Sequence, residues 1–145
     1  MDVRAILEDK GDEVAVIDPT ATVGSAVAAL ARHGIGALVV SFDGERVVGM
    51  LSERDIVRGL ASAGAAALSW EVGELMTADV HTTELSVTVA ELMAQMTTRR
   101  IRHLPVVVDD RLAGIVSIGD VVKRRVRELE TESADMVQYL RGAAR

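Results

Sequence analysis

Ile101-Arg-His-Leu-Pro-Val-Val-Val-Asp-Asp-Arg-Leu-Ala-Gly-Ile-Val-Ser-Ile-Gly-Asp-Val-Val122 is the stretch whose reading decides the fold. It holds two short apolar runs joined by an acidic turn, and the second run leads into a helix beginning near Ser117. A variant lies earlier, from Ile35 to Val57. Ile35 aligns with Ile101, Leu38 with Leu104, Gly49 with Gly114, Ser52 with Ser117 and Asp55 with Asp120. The alignment shifts by one residue at the turn, where insertions cost least. The chain is therefore an internal repeat.

Working outward, the flanks repeat as well. Val3 to Leu7 is a lead-in that recurs as Val72 to Met76. Val14 to Ile17 and Val80 to Thr83 read as short strands, the first closed by the turn pair Asp18-Pro19. Thr22 and Thr88 are placed to cap helices over 23–33 and 89–98, and Gly34 stands where a C-terminal cap belongs. Ile35 to Phe42 and Arg46 to Leu51 read as strands around an Asp43-Gly44 turn. Ser52 then caps a helix with Glu53 and Asp55 in its first turn. The Ala- and Gly-rich segment 59–69 is a helix end and connector, and Trp70 is a packing plug. The last helix extends to about Leu140, with Val122, Val126, Leu129, Ser133, Met136 and Leu140 on one stripe that needs a cover, a second copy by preference.

Each half reads strand-helix-strand-strand-helix, an α+β class. The expected division is a first repeat with its connector over 1–70, a second repeat over 71–125 and a helical extension over 126–145. Halves this small are marginal alone and should share a buried interface.

Composition narrows the function. With 2% aromatic residues the core must be aliphatic, and a planar ligand would lie on Val, Ile, Leu and Pro. A net charge of −6 disfavours nonspecific binding to nucleic acid or an anionic membrane, yet Arg99, Arg100, Arg102 and His103 form a local basic cluster. The absence of cysteine removes disulfides and thiolate chemistry. The charged start is unlike a signal peptide and no apolar run has membrane-spanning length, so the reading is a soluble, cytoplasmic protein. His33, His81 and His103 have no metal-ligand spacing, and no nucleophile-base pair assembles, so neither a metal site nor a catalytic site is expected.

The ordered set Thr88-Val89, Met96, Ile101 to Val107 and Gly114 to Asp120, echoed by Gly49 to Asp55 and entered through Val72 to Thr77, resembles a tandem pair of cystathionine beta-synthase (CBS) domains, or Bateman module. The resemblance covers residues 3 to 125 and is closest to small stand-alone CBS-pair proteins. It implies a pseudo-twofold pair with two clefts for adenosine-containing ligands. The ligand would be AMP first, in an energy-sensing role, with ADP, ATP, NAD(H) or S-adenosylmethionine as the alternatives. It further implies that Asp120 and Asp55 hold ribose hydroxyls with Ser117 and Ser52 beside them, and that residues before Leu104-Pro105 reach phosphate. Thr82, Ile101, Pro105, Ile118 and Gly119 would complete the ligand's surroundings.

The residues themselves leave alternatives open. Asp120 and Asp55 are ribose acceptors or simply carboxylates favoured by a helix dipole. Ser117 and Ser52 are caps first. Arg102 and His103 are phosphate donors or a solvated pair; their counterparts Gly36 and Ala37 carry no charge. On this reading the second-half cleft, with Arg102, His103 and Asp120, holds phosphate more firmly, and the first-half cleft must borrow Arg54 or residues of the other repeat, the alternatives being that it is empty or takes a less charged adenosyl group. The expected function is a nucleotide-sensing regulatory module, needing no cofactor, acting as a homodimer on a protein partner. The rival is a ligand-independent dimeric scaffold.

Overall fold

The computed structural model describes residues 1–143, so the last two positions of the expected extension lie outside the described residues. In chain order the elements are α1 (Val3–Lys10), β1 (Val16–Ile17), α2 (Val23–His33), β2 (Ala37–Val40), β3 (Gly49–Ser52), α3 (Glu53–Ala63), a 3-10 turn over Gly64–Ser69, α4 (Val72–Leu75), α5 (Val89–Arg99), β4 (His103–Val108), β5 (Arg111–Ser117) and α6 (Ile118–Ala143). The α+β pattern and the two repeats are as the sequence implies. No helix among the described residues is long and apolar enough to cross a membrane.

The caps form as their residue types dictate. Thr22 accepts from the Ser25 N–H at 3.1 Å, and Gly34 closes α2 in the left-handed region at φ 63°. Thr88 and Glu91 make a reciprocal capping box on α5. The residue that closes α5 is Arg100 at φ 54°, a bulky side chain held where the first repeat uses glycine. The acidic turn is two successive left-handed residues, Asp109 and Asp110, at φ 51° and 62°.

The two sheets are built alike but not equally. In the first, β1 pairs parallel with β2, which pairs antiparallel with β3. In the second, β4 and β5 form an antiparallel pair with a register shift between Val106 and Val107. The strand expected over 80–83 is reduced to one parallel bridge, Thr83 to Val106. Proline explains this correction. In the first repeat the Val39 N–H donates to the Ala15 carbonyl; the aligned donor in the second is Pro105, which has no N–H.

The cores cross the repeat boundary. Val3, Ile6 and Leu7 of α1 are buried with Val89, Leu92, Met96, Leu104, Val106, Val116 and Val121 of the second repeat. Val72 of α4, flanked by Leu75 and Met76, packs into the core of the first. Trp70 also packs against that first core. Backbone hydrogen bonds repeat in matched pairs: Val3 N–H to the Val87 carbonyl (2.9 Å) answers Val72 N–H to the Ala21 carbonyl (2.8 Å). Likewise Val89 N–H to Met1 answers Val23 N–H to Trp70. Gly114 and Gly49 make room for this exchange. A Cβ on Gly114 would lie 2.8 Å from the Leu7 methyls, and one on Gly49 would lie 3.0 Å from the Thr77 carbonyl oxygen and overlap Met76.

Candidate functional site

The exchange brings the connectors of one repeat against the strand ends of the other, and the clefts follow that geometry. One of them, about 760 Å³, is lined by Lys10, Glu13, Val14 and Ala15, by His33 to Ala37, and across from them by Ile115, Ser117 and His103. Its volume suits a nucleoside-sized ligand.

Asp120 lies outside this cleft, in a smaller neighbouring opening of about 200 Å³ that it shares with Asp9, Lys123, Arg124 and Arg127, and Lys10 lines both. The first turn of α6 is shaped by the Asp120 carboxylate, whose Oδ2 accepts from the Ser117 N–H at 2.8 Å while the Ser117 hydroxyl accepts from the Asp120 N–H at 3.2 Å. Lys10, at the end of α1, donates to the same Oδ2 at 2.7 Å and to the Ile115 carbonyl at 3.0 Å. Burial pushes the Asp120 carboxyl up, but the hydrogen bonds from Lys10 and Ser117 and the Lys10 charge outweigh it and hold it below the usual range. His103 points the same way as Ser117, to which it is paired across the sheet. Burial, with the nearby Lys10 charge, lowers its pKa against the opposing pull of Glu53 and Asp120. Its ring is therefore a neutral donor and acceptor at neutral pH.

Asp55 stands in the matching place in the first repeat. Its Oδ2 accepts from the Ser52 N–H and hydroxyl at 2.9 and 3.0 Å, and the Thr77 hydroxyl donates to Oδ1 at 3.3 Å. One residue before it, Arg54 joins Arg100, Ile101, Arg102 and Ile118 in a groove of about 280 Å³. The aligned groove of the first repeat is lined by Val27, Leu30, Gly34, Ile35, Gly36, Ile56 and Val57, with Glu53 as its charge. Replacing Gly34 and Gly36 by Arg100 and Arg102 thus turns an apolar groove into a basic one. Among the described residues no ion pair uses Arg54, Arg100 or Arg102. Nearby, the Arg99 guanidinium lies against the His81 ring.

The grouping therefore differs from the one expected. Arg102, His103 and Asp120, placed in one cleft by the sequence reading, are divided: Ser117 and His103 gather with the first repeat's connectors, Asp120 lies with Lys10, Lys123, Arg124 and Arg127, and Ile101, Arg102 and Ile118 gather with Arg54. Pro105 is buried within the sheet, and Thr82 and Gly119 are exposed and line neither opening. Lys10, which sequence reasoning passed over, lines both the larger cleft and the Asp120 opening and hydrogen-bonds the Ile115 carbonyl of the one and the Asp120 carboxylate of the other. Its position in a lead-in helix gave no signal, because only the exchange of α1 into the second repeat carries it there.

Comparison with known proteins follows the same outline. The family model for the CBS domain matches twice, over residues 3–62 and 72–127. The mitochondrial CBS domain-containing protein CBSX3 of Arabidopsis thaliana is 38% identical over 83% of this chain, which spans 61% of that protein's length; its compartment differs from the cytoplasm expected from composition. The crystal structure of a CBS-domain-containing protein of Agrobacterium tumefaciens superposes with a TM-score of 0.82 at 44% identity, covering 86% of this chain and 92% of that one. The CBS domain pair of protein MJ0100, solved in complex with 5′-methylthioadenosine and S-adenosyl-L-methionine, superposes with a TM-score of 0.77 at 25% identity, covering 88% and 98%.

Proposed function

This chain belongs to the CBS domain family, and from that premise we propose that it is a regulatory module that binds an adenosine nucleotide, AMP foremost, between its repeats and passes the occupancy to a protein partner. The observation that carries this reading is the convergence of Arg54, Arg100 and Arg102, drawn from both repeats, in a chain of net charge −6. Three guanidinium groups set side by side repel one another, and a phosphate relieves that repulsion with charge-assisted, bidentate hydrogen bonds. Asp55 follows Arg54 in sequence but lies outside the groove lining, with Oδ2 held by Ser52 and Oδ1 by the Thr77 hydroxyl, so a ribose diol would reach its carboxylate by displacing Thr77; Ile101 and Ile118 supply the aliphatic surface that a chain poor in aromatic residues offers a purine. The adenosyl ligands of the MJ0100 pair support the class of ligand. No reaction is assigned to the module.

Partner transmission rests on α6. Val126, Leu129, Met136 and Leu140 are 48 to 60% exposed along one long helix, which supports a homodimer contact through this face. That same stripe favours the second reading, a ligand-independent scaffold. Isothermal titration of the nucleotide-stripped protein with AMP separates the two. The sensor reading expects AMP binding that Arg102→Ala and Asp55→Ala each weaken by about tenfold or more, the scale of one charge-assisted hydrogen bond. Absence of AMP binding by the unmodified protein, with an unchanged melting temperature, refutes it in favour of the scaffold.

A further inference from the structure

Over residues 129–143 every position of α6 is exposed, so this part of the helix leaves the body of the chain without cover. A helix of that length is marginal in water by itself. Val122, Val126, Leu129, Ser133, Met136 and Leu140 follow alternate spacings of four and three, and the apolar ones among them are 46 to 60% exposed. Gly119, also exposed, stands on the same stripe one heptad before Val126. Charge flanks the stripe in blocks. Lys123 lies on one side and Arg125 on the other, and one heptad later Glu130 and Glu132 take the same two sides. Antiparallel helices set like flanks against each other, whereas parallel helices set opposite flanks together. A second copy running the other way therefore meets each basic position with an acidic one. Lys123 has a further need for such a partner. Among the described residues it makes no ion pair, and it lines the 200 Å³ opening where Lys10, Arg124 and Arg127 already outnumber Asp9 and Asp120.

We infer that α6 is covered by the α6 of a second copy, antiparallel and centred between Arg127 and Glu128, so that the partner's acidic segment closes the basic opening beside Lys123. This rests on the reading of α6 as a homodimer contact and deepens it to one orientation and one register. In that register Val126 packs beside Leu129 of the partner subunit, Val122 beside the partner's Ser133 and Gly119 beside the partner's Met136. Small residues thus face larger ones along the seam. Arg125 meets the partner's Glu132 and Lys123 meets the partner's Glu130, and the twofold axis repeats both pairs. Sliding the helices by one heptad sets Glu130 on the partner's Glu130 and Glu132 on the partner's Glu132, which repel. A parallel, in-register pair joins Arg125 to the partner's Glu130 but leaves Lys123 facing the partner's Ile118 and Glu132 facing the partner's Val137.

The full chain contains no cysteine, so introduced thiols report the geometry directly. Under mild oxidation a mixture of Val122→Cys and Ser133→Cys chains should form the mixed disulfide. Ser133→Cys alone should not link to itself, because its two copies lie about 16 Å apart along the paired helices, beyond the roughly 7 Å between Cα atoms that a disulfide allows. Sedimentation equilibrium reads the charges. Arg125→Glu should weaken the dimer about tenfold, the scale of two exposed ion pairs lost together. Arg125 also pairs with Glu128 of its own helix at 3.0 Å, so restoration carries the test. Adding Glu132→Arg to Arg125→Glu should restore the dimer, and adding Glu130→Arg should not. A monomeric unmodified chain overturns this inference together with the homodimer reading. A dimer in which Ser133→Cys links to itself, or in which Glu130→Arg is the rescuing change, is parallel and overturns this inference alone. So does a dimer that gives no mixed disulfide and is indifferent to Arg125→Glu, since its contact then lies elsewhere.

Discussion

Substitution of Ile6 by alanine should damage the far half of the chain. Ile6 is 4% exposed and sits in the core of the second repeat with Leu92, Met96, Leu104 and Val116, although it lies near the start of the first repeat in sequence. Truncating such a side chain costs about 2–5 kcal/mol, and α1 is a short helix that cannot shift without also losing Val3 and Leu7, which places this site near the middle, about 3 kcal/mol. A local loss of that size corresponds to roughly a 150-fold rise in the open population. Native-state hydrogen exchange reads it by element. In Ile6→Ala the amides of β4, β5 and α5 should quicken by about two orders of magnitude, with β2 and β3 changing much less. The reciprocal variant, Val72→Ala, removes a fully buried residue of the first core and should quicken β2 and β3 ahead of β4 and β5. If Ile6→Ala loosens β2 and β3 first, or if both variants raise exchange evenly in both sheets, the exchanged packing of the lead-in helices is wrong.

Other outcomes follow from single groups. Thr83 is 4% exposed and its hydroxyl is buried without a partner, so Thr83→Val should raise stability by about 1 kcal/mol, measured as a higher denaturation midpoint with unchanged slope. Gly49→Ala should destabilise by about 1–3 kcal/mol in the same measurement, because the new Cβ meets the Thr77 backbone oxygen at 3.0 Å and not merely a movable side-chain end. Stability should also fall on acidification in two steps. His103 has a folded pKa below its unfolded value, so the unfolded chain binds the proton more readily and stability drops as pH falls from about 6.5; His103→Gln should flatten that window. Asp120 is depressed likewise, its contribution being present above about 3.9 and lost as pH falls through the folded value; Asp120→Asn should flatten the acid limb and, by removing a charge that raises the His103 pKa, deepen the His103 step.

Much of this architecture is legible in the residues because the physics that sets it is local. Thr22, Thr88 and Ser52 cap helices through bonds that span three residues, and Gly34 ends α2 through its own φ, so no tertiary knowledge is needed to place them. One local signal was available and passed over: Pro105, which aligns with a hydrogen-bond donor in the first repeat, already says that the 80–83 segment must pair less than its counterpart.

The grouping of site residues is another kind of fact. A twofold repeat aligns Val3–Leu7 with Val72–Met76, but burying each lead-in helix on its own half or on the other satisfies the same apolar pattern equally well. The choice is made by packing at Gly49 and Gly114, where the absence of a side chain admits Met76 and Leu7 from opposite ends of the alignment. Once it is made, it fixes where charges fall. Lys10 arrives at Asp120 because α1 has crossed to the second repeat, and Arg54 meets Arg100 and Arg102 because the strand ends of one half face the connectors of the other. Asp55 and Asp120, which align within the repeat, consequently have different partners: the Thr77 hydroxyl for one and an ammonium for the other. An exchanged pair of similar halves thereby gives two aligned carboxylates unlike surroundings, a difference that the repeat alignment alone does not contain.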